Sequence, residues 1–320
     1  MSGSPVARAF HLAWRVIPRL PRGLVARTAD IAADVTWLLG GKGVRQLEKN
    51  LARVTGGTDR RSLRRLSRRG MRSYFRYFSE AFQVTGFSAE EIAARVRAEN
   101  LDVPRALLAQ GKALVLALGH LGNWDLAGLW SVHHFAKVTT VAERLEPPEL
   151  FEEFVSFRSR LGMEIFAFGD DGLFRDLQQA ARGDAKIIPL LADRDLGKSG
   201  VEVTIAGQAA RVAAGPAALA VSTGAELFAL RIYYERLTGE RRRRARSRWG
   251  IVLSFSDQIM VDDVAGPTRE RVRVVSQRWV DALFAGVAEH PEDWHMLQKV
   301  FVADLDPEKY RRITGEGSRS

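Results

Sequence analysis

The sequence predicts an α/β protein, a central mixed β-sheet flanked by helices, entered through basic amphipathic N-terminal helices. Short apolar runs recur from residue 113 onward and alternate with segments of helical periodicity, as in a sheet covered by helices. The first hundred residues show only helical spacing, with arginine interleaved. The 320-residue chain, 46% hydrophobic, is long enough to bury a sizeable core. The expected organisation is a helical, membrane-associating part over 1–100, an α/β domain over 101–305 and a polar, frayed tail over 306–320. These parts are expected to pack as one globular unit.

Val6, Phe10, Ala13, Ile17 and Leu20 form one stripe, with Arg8, Arg15 and Arg19 flanking it and Trp14 at its edge. This is the pattern of an interfacial helix, and equally of a helix packed on the domain. A more apolar segment, Val25 to Leu39, ends at Gly40-Gly41-Lys42-Gly43. The next long helix runs from Asp59 to Phe82, with Leu63, Leu66, Gly70, Tyr74, Tyr77 and Ala81 facing a core. Arg60, Arg64, Arg68, Arg72 and Arg76 recur every four residues on it, and Arg61, Arg65 and Arg69 run beside them. Like charges at that spacing repel. A solvated face is the usual account of such a run. Anionic headgroups, worth about 1 kcal/mol per residue, would relieve the repulsion, and an anionic membrane surface is the reading preferred here, with Phe75 and Phe78 as apolar anchors.

A helical link (Ser88–Arg97, then Val103–Gln110) leads to strand candidates at Ala113–Leu118, Val138–Ala142, Glu164–Phe168, Lys186–Leu191, Val201–Ile205, Leu227–Tyr233 and Gly250–Phe255. Helices are expected from Pro147–Pro148 to Arg160, over Gly172–Arg182 and over Pro216–Thr223, where proline occupies the first position. A last helix spans Arg269–Glu289, and Arg241–Arg248 reads as a solvated loop.

The stretch ALVLALGHLGNWDLAGLW (113–130) carries the chemistry. Its apolar run suits a strand buried on both faces, and Leu126, Leu129 and Trp130 then return at helical spacing. His120 therefore sits at a strand end, and Asp125 on the first turn of the next helix. Across such a turn, imidazole and carboxylate can come within hydrogen-bond reach. The pair offers general-base catalysis, the carboxylate holding the second ring nitrogen. No cysteine and no G-x-S-x-G elbow supplies a nucleophile, so the pair would activate a substrate hydroxyl. Alternatively, the spacing is accidental, Asn123 simply caps the helix and Asp125 complements its dipole. Gly119 and Gly122 leave backbone room for a ligand.

G-H-L-G-N-W-D after an apolar strand resembles the H-x4-D/E motif of the bacterial lipid A biosynthesis acyltransferase family. Its Asp form is similar to that of the phosphatidylinositol mannoside acyltransferases of mycobacteria. The resemblance covers roughly Leu114 to Phe301 and implies a glycerolipid-acyltransferase-like fold, with His120 as base and Asp125 as its partner. Glu143 falls on the family's second motif, and would share the side of His120 if their strands are parallel neighbours. Arg158 in FRSRLG matches R-x3-G and would contact a substrate phosphate or orient Glu143. Asp193 and Arg194 fall on a D-x-D-like motif and would line the site. Read without the resemblance, Asp193 and Asp195 could hold a metal or join an ion-pair network through Arg194.

Glu202, in an otherwise apolar strand, is a further candidate carboxylate, and backbone N–H groups around Gly122 and Asn123 are candidate oxyanion donors. Segments 215–227 and 290–301 match later parts of the family; packing roles are expected for them, though His295 could approach the site.

The function expected is acyl transfer from acyl-CoA, a co-substrate rather than a cofactor; the resemblance implies that the chain is palmitoyl-like and the acceptor a mannose hydroxyl of mannosylated phosphatidylinositol. A thioesterase of the same fold and a lipid A-type acyltransferase are the enzymic alternatives. No metal is expected. The net charge of +10 points to an anionic partner. A basic nucleic-acid-binding protein is the non-enzymic alternative, disfavoured because the aromatics do not interleave with the arginines as stacking platforms. No uncharged run reaches the roughly 18–20 residues needed to span a bilayer, and no signal-peptide core is evident. The expectation is a monomer, peripheral on the cytoplasmic face of the inner membrane.

Overall fold

The computed structural model describes residues 12–13, 16–57, 59–144, 148–195, 197 and 199–314. Most of the expected helix over 6–20 lies outside them. Three helices open the described chain: α1 (Arg22–Leu39), α2 (Lys42–Val54) and α3 (Arg60–Ala81). Gly40, in the left-handed region at φ 59°, ends α1. The Asp59 carboxylate accepts from the first N–H groups of α3. Ala33, Val44, Leu47, Leu51, Leu66 and Met71 bury against one another as a small helical core, where Phe75 packs too. Phe78 makes edge-on contacts with Tyr74 and Tyr77. Both phenylalanines, expected as membrane anchors, are thus half-buried against the protein's own helices.

The arginines of α3 are also more internally matched than their spacing suggests. Arg68 and Arg72 both reach Asp34 of α1 at 2.5 Å, and Arg64 reaches Glu48 of α2 at 2.7 Å. Asp34 accepts hydrogen bonds from both guanidinium groups, which hold its carboxyl well below the usual carboxylate range.

After α4 (Ala89–Arg95), closed by a Ser88–Glu91 capping box, the chain enters β1 (Val96–Glu99), so the expected helical link ends as a strand. The remaining elements are α5 (Asp102–Ala109), β2 (Leu114–Leu118), α6 (Trp124–His134), β3 (Val138–Ala142), α7 (Pro148–Arg160), β4 (Met163–Ala167), α8 (Leu173–Arg182), β5 (Ile187–Leu191), β6 (Val201–Ile205), β7 (Gln208–Val212), α9 (Gly215–Thr223), β8 (Glu226–Arg236), α10 (Gly239–Ala245), β9 (Trp249–Phe255), α11 (Thr268–Glu289) and α12 (Pro307–Thr314). The expected solvated loop at 241–248 is mostly α10, and much of the expected frayed tail is α12.

Seven strands form one sheet in the order β1-β9-β8-β2-β5-β3-β4, and β6 and β7 form a separate antiparallel ribbon. All pairs in the large sheet are parallel except β8 with β9. The mixed central sheet is as expected, but Val201–Ile205 is not one of its strands. Every residue of β2 is buried, which explains its uninterrupted apolar run. Because β2, β5 and β3 run parallel, their C-terminal ends open at one edge, where sheets of this type build sites. There β8 continues to Arg236, beyond its pairing with the end of β2 at Leu230.

Replacing Asp34 by asparagine is expected to destabilise the protein by on the order of 1 kcal/mol at neutral pH. Because folding depresses this carboxyl's pKa, its contribution is present above the ordinary carboxylate range and is lost as the pH falls through the folded value. Denaturant titrations of the two proteins should therefore converge in acid; an equal gap at neutral and strongly acid pH would contradict the ion-pair account.

Candidate active site

His120 leaves the end of β2 and is about one-third exposed (35%). Its ring partner is Asp193, just past the end of β5, and not Asp125. Nδ1 lies 2.7 Å from Asp193 Oδ1, while the His120 backbone N–H donates to Oδ2 at 2.9 Å. Trp294 Nε1 donates to the same Oδ2 at 2.8 Å. An ionised carboxylate only accepts, so Nδ1 carries the proton and Nε2 is left as the basic nitrogen. Burial pulls the imidazole pKa down, but the Asp193 charge and hydrogen bond more than offset it, and the net shift is upward. Burial likewise pushes the fully buried Asp193 carboxyl up, yet the contacts from His120 and Trp294 leave it lowered.

Asp125 is fully engaged elsewhere. Arg158 Nε donates to its Oδ1 at 2.7 Å and Tyr77 Oη to its Oδ2 at 2.8 Å. The five-residue spacing brings Asp125 near the site, but the first turn of α6 directs its carboxylate to α3 and α7. Arg158 accordingly pairs with Asp125, where the resemblance allowed it to orient Glu143. Glu143 follows β3, which β5 separates from β2, so the two strands are not the expected neighbours. It is 71% exposed, with Arg194 3.9 Å away.

Asn123 is buried and structural: its Oδ1 caps α6 through Leu126 N–H at 3.0 Å and its Nδ2 donates to Glu80 at 2.9 Å. The Gly122 N–H donates to the Asp293 carbonyl at 3.0 Å, which removes it as an oxyanion donor. Glu202 lies in the β6–β7 ribbon and accepts from Tyr310 of α12, outside the His120 cluster. Asp195 accepts from Gly197 N–H and Ser199 Oγ, closing its own turn. Asp193 and Asp195 thus serve different partners, and among the described residues no group of three His, Asp or Glu side chains could hold a metal.

The two glycines beside His120 make room for protein and not for ligand. A Cβ on Gly119 would stand 3.1 Å from Asp193 Oδ2. Gly122, at φ 55°, lies so close to β8 that a Cβ would stand 2.7 Å from the Ile232 carbonyl oxygen.

The segment 290–301 contributes more than packing. His295 N–H donates to the His120 carbonyl at 2.8 Å, and Leu121 forms a bridge with Trp294. The His295 ring is buried against Tyr74, Tyr77 and Trp124, with Nε2 2.9 Å from Ser73 Oγ. Burial and the nearby Arg76 charge hold its pKa at about 3. Trp124, whose ring centroid is 5.7 Å from that of His120, has a buried Nε1 with no hydrogen-bond partner among the described residues. It also lines an apolar groove of about 60 Å³ between β2, α6, β3 and β5, with Asp125 and Arg158 in its walls. Asp193, expected only to line the site, is the partner of the His120 ring; Trp294 and Tyr77 are the contributors that the sequence motifs do not reveal.

An acceptor-only carboxylate behind a half-open imidazole, with the Trp124 ring between it and an apolar groove, suits proton abstraction next to an acyl chain. The sequence model of the family described as "Bacterial lipid A biosynthesis acyltransferase" matches residues 7–302. The chain belongs to this family, and is an acyltransferase. It is 33% identical to a phosphatidylinositol mannoside acyltransferase of Mycolicibacterium smegmatis over 98% of its own length and 97% of that protein's. It is 34% identical to a phosphatidylinositol mannoside acyltransferase of Mycobacterium tuberculosis, over 95% and 91% of the two chains.

Asp193→Asn is expected to move the His120 imidazole pKa below its ordinary value, because burial and the Arg194 charge then outweigh the smaller pull of Glu143, whereas Asp125→Asn should leave it nearly unmoved. NMR titration, with the resonance assigned by its loss in His120→Ala, checks this. An unmoved His120 in Asp193→Asn would refute the assignment of its partner.

Proposed function

We propose that this enzyme moves a long acyl chain from an acyl-CoA thioester to a mannose hydroxyl of a phosphatidylinositol mannoside, at the cytoplasmic surface of the inner membrane. His120 Nε2 takes the hydroxyl proton as the oxygen attacks the thioester carbonyl. The tetrahedral intermediate collapses with loss of the thiolate, which receives the proton back from the imidazolium. Asp193 holds Nδ1–H and stabilises the imidazolium. Asp125 acts at one remove, fixing Arg158 in the groove wall. The unpartnered indole N–H of Trp124 is a donor available for charge developing beside His120. The observation that carries this reading is the Asp193-buttressed imidazole adjoining an apolar groove, and the relatives' names supply the acceptor.

The groove is small against the roughly 300–1,000 Å³ of ordinary ligand sites, so its lining must part to admit a long chain. Met163 is suited to this: its flexible thioether lies against Gly128, where a Cβ would meet its methyl at 2.4 Å.

Peripheral attachment is supported by α1. Leu24, Ile31, Val35, Leu38 and Leu39 are exposed on it, at a spacing that gathers them on one helix face. Such a stripe fits the acyl boundary of a bilayer, and no described helix is long and apolar enough to cross one. Vesicle co-sedimentation with anionic lipid should fall about tenfold in Ile31→Asp/Leu38→Asp with the thermal midpoint little changed; undiminished binding would place the attachment elsewhere.

The mechanism is tested with labelled palmitoyl-CoA and a panel of mannosylated phosphatidylinositols and lipid A precursors. His120→Ala and Asp193→Asn should each lose roughly 10²–10⁴-fold in rate. Full activity in either would end the mechanism, and thioester cleavage that ignores every acceptor would make water the acceptor.

A further inference from the structure

A cavity of about 1040 Å³ opens beside the active site, between α1, α3, the end of β8 and the α10–β9 turn. Ten of its lining residues are arginine, against four carboxylic acids. One of those four, Asp293, is pushed up by burial to a pKa of about 6, so it stays ionised at neutral pH, with its oxygens accepting from Ser73 Oγ and the Tyr234 N–H. The arginines divide sharply. Arg22, Arg69, Arg72, Arg95 and Arg246 each meet a carboxylate. Arg27, Arg76, Arg236, Arg242 and Arg248 meet none among the described residues. Arg76 is half-buried over the rings of Trp249 and Tyr234, at 3.8 and 4.6 Å. Arg236 lies over the same Trp249 at 4.5 Å. Arg246, a non-glycine residue at φ 47°, holds the turn that delivers Arg248 and Trp249 to the rim. Backbone conformations of this kind persist where the surroundings impose them.

An excess of guanidinium groups in one concavity is costly when empty, since the charges repel and are partly shielded from water. A single phosphodiester would relieve one of them. We propose that this cavity binds a ligand carrying two or more phosphate groups, gripped by Arg76, Arg236 and Arg248, whose forked donors match phosphate oxygens. Two sources share that chemistry: the pyrophosphate and ribose phosphate of a coenzyme thioester, and the phosphorylated inositol head of a membrane lipid. Occupancy by coenzyme A rests on the acyl donor proposed above; occupancy by a simple polyphosphate does not. The position suits either, because Ser73 and Asp293 in the cavity wall join through His295 to the His120 backbone.

The test is calorimetric titration of the full chain with inorganic pyrophosphate, coenzyme A and a soluble inositol bisphosphate. Arg236→Gln/Arg248→Gln removes two exposed cavity arginines that make no ion pair, and Arg105→Gln/Arg269→Gln removes equal charge on exposed surface outside the cavity. At least one probe should bind, more weakly as salt is raised. The cavity variant should lose about tenfold or more, the control less than about twofold. Coenzyme A tightest, displaced by pyrophosphate, assigns the cavity to the donor. The inositol bisphosphate tightest assigns it to a lipid head. Pyrophosphate binding that coenzyme A does not displace keeps the site and removes the donor from it. No binding by any probe, or equal loss in both variants, overturns the proposal.

Discussion

A single buried carboxylate organises the reactive edge of this molecule. Asp193 has no exposure to water and accepts three hydrogen bonds, two of them from His120 and one from Trp294. A charge so placed is tolerable only when its oxygens are satisfied, so β2, β5 and the segment after α11 are bound to one geometry. Gly119 must lack a side chain for the carboxylate to approach. Trp294 must be held by its bridge to Leu121, and the Gly122 N–H is drawn to the Asp293 carbonyl in the same small ladder. The imidazole is thus oriented by contacts from both its ring and its backbone, leaving Nε2 as its remaining basic atom.

Strand β2 and its histidine were legible in the sequence because a strand buried on both faces leaves a continuous apolar run. The partner of that histidine was not. Asp125 is five residues away and Asp193 seventy-three, and only the strand order, with β5 inserted between β2 and β3, brings the distant one into contact. Local spacing sees a turn; it does not see which strand lies alongside. The same insertion displaced Glu143 from its expected place. The helix α2 had a readable stripe in Val44, Leu47, Leu51 and Val54, obscured by the glycines that precede it. Strand β1 carries Arg97 and Glu99 in four residues, and its pairing along one side with β9 supplies what its own pattern lacks.

The arginine runs show how far a one-dimensional charge pattern misleads. On α3, the repulsion expected from four-residue spacing is largely answered by Asp34 and Glu48 on adjacent helices. In α10, Arg241 and Arg244 reach Glu235 and Glu90, which lets a run read as solvated loop take up helix against α4. Five of the arginines left without a carboxylate among the described residues gather where β8 overshoots β2 and β9 turns back antiparallel from Trp249, so this local concentration follows from topology more than from composition.

That concentration sets a problem for the neighbouring imidazole, since a basic cavity would by itself depress the affinity of a nearby base for a proton. The chain between them resolves it. His295 stands between Arg76 and His120, and burial together with the charge on both sides keeps its ring neutral. It therefore adds no third positive charge, while its backbone N–H and its Ser73 contact hold the wall rigid. On the far side of that wall, Asp193 supplies the opposite charge at hydrogen-bond distance, where Coulomb attraction outweighs the more distant arginines. The His120 base can then remain basic beside a cavity built for anions, because the carboxylate that orients it also shields it.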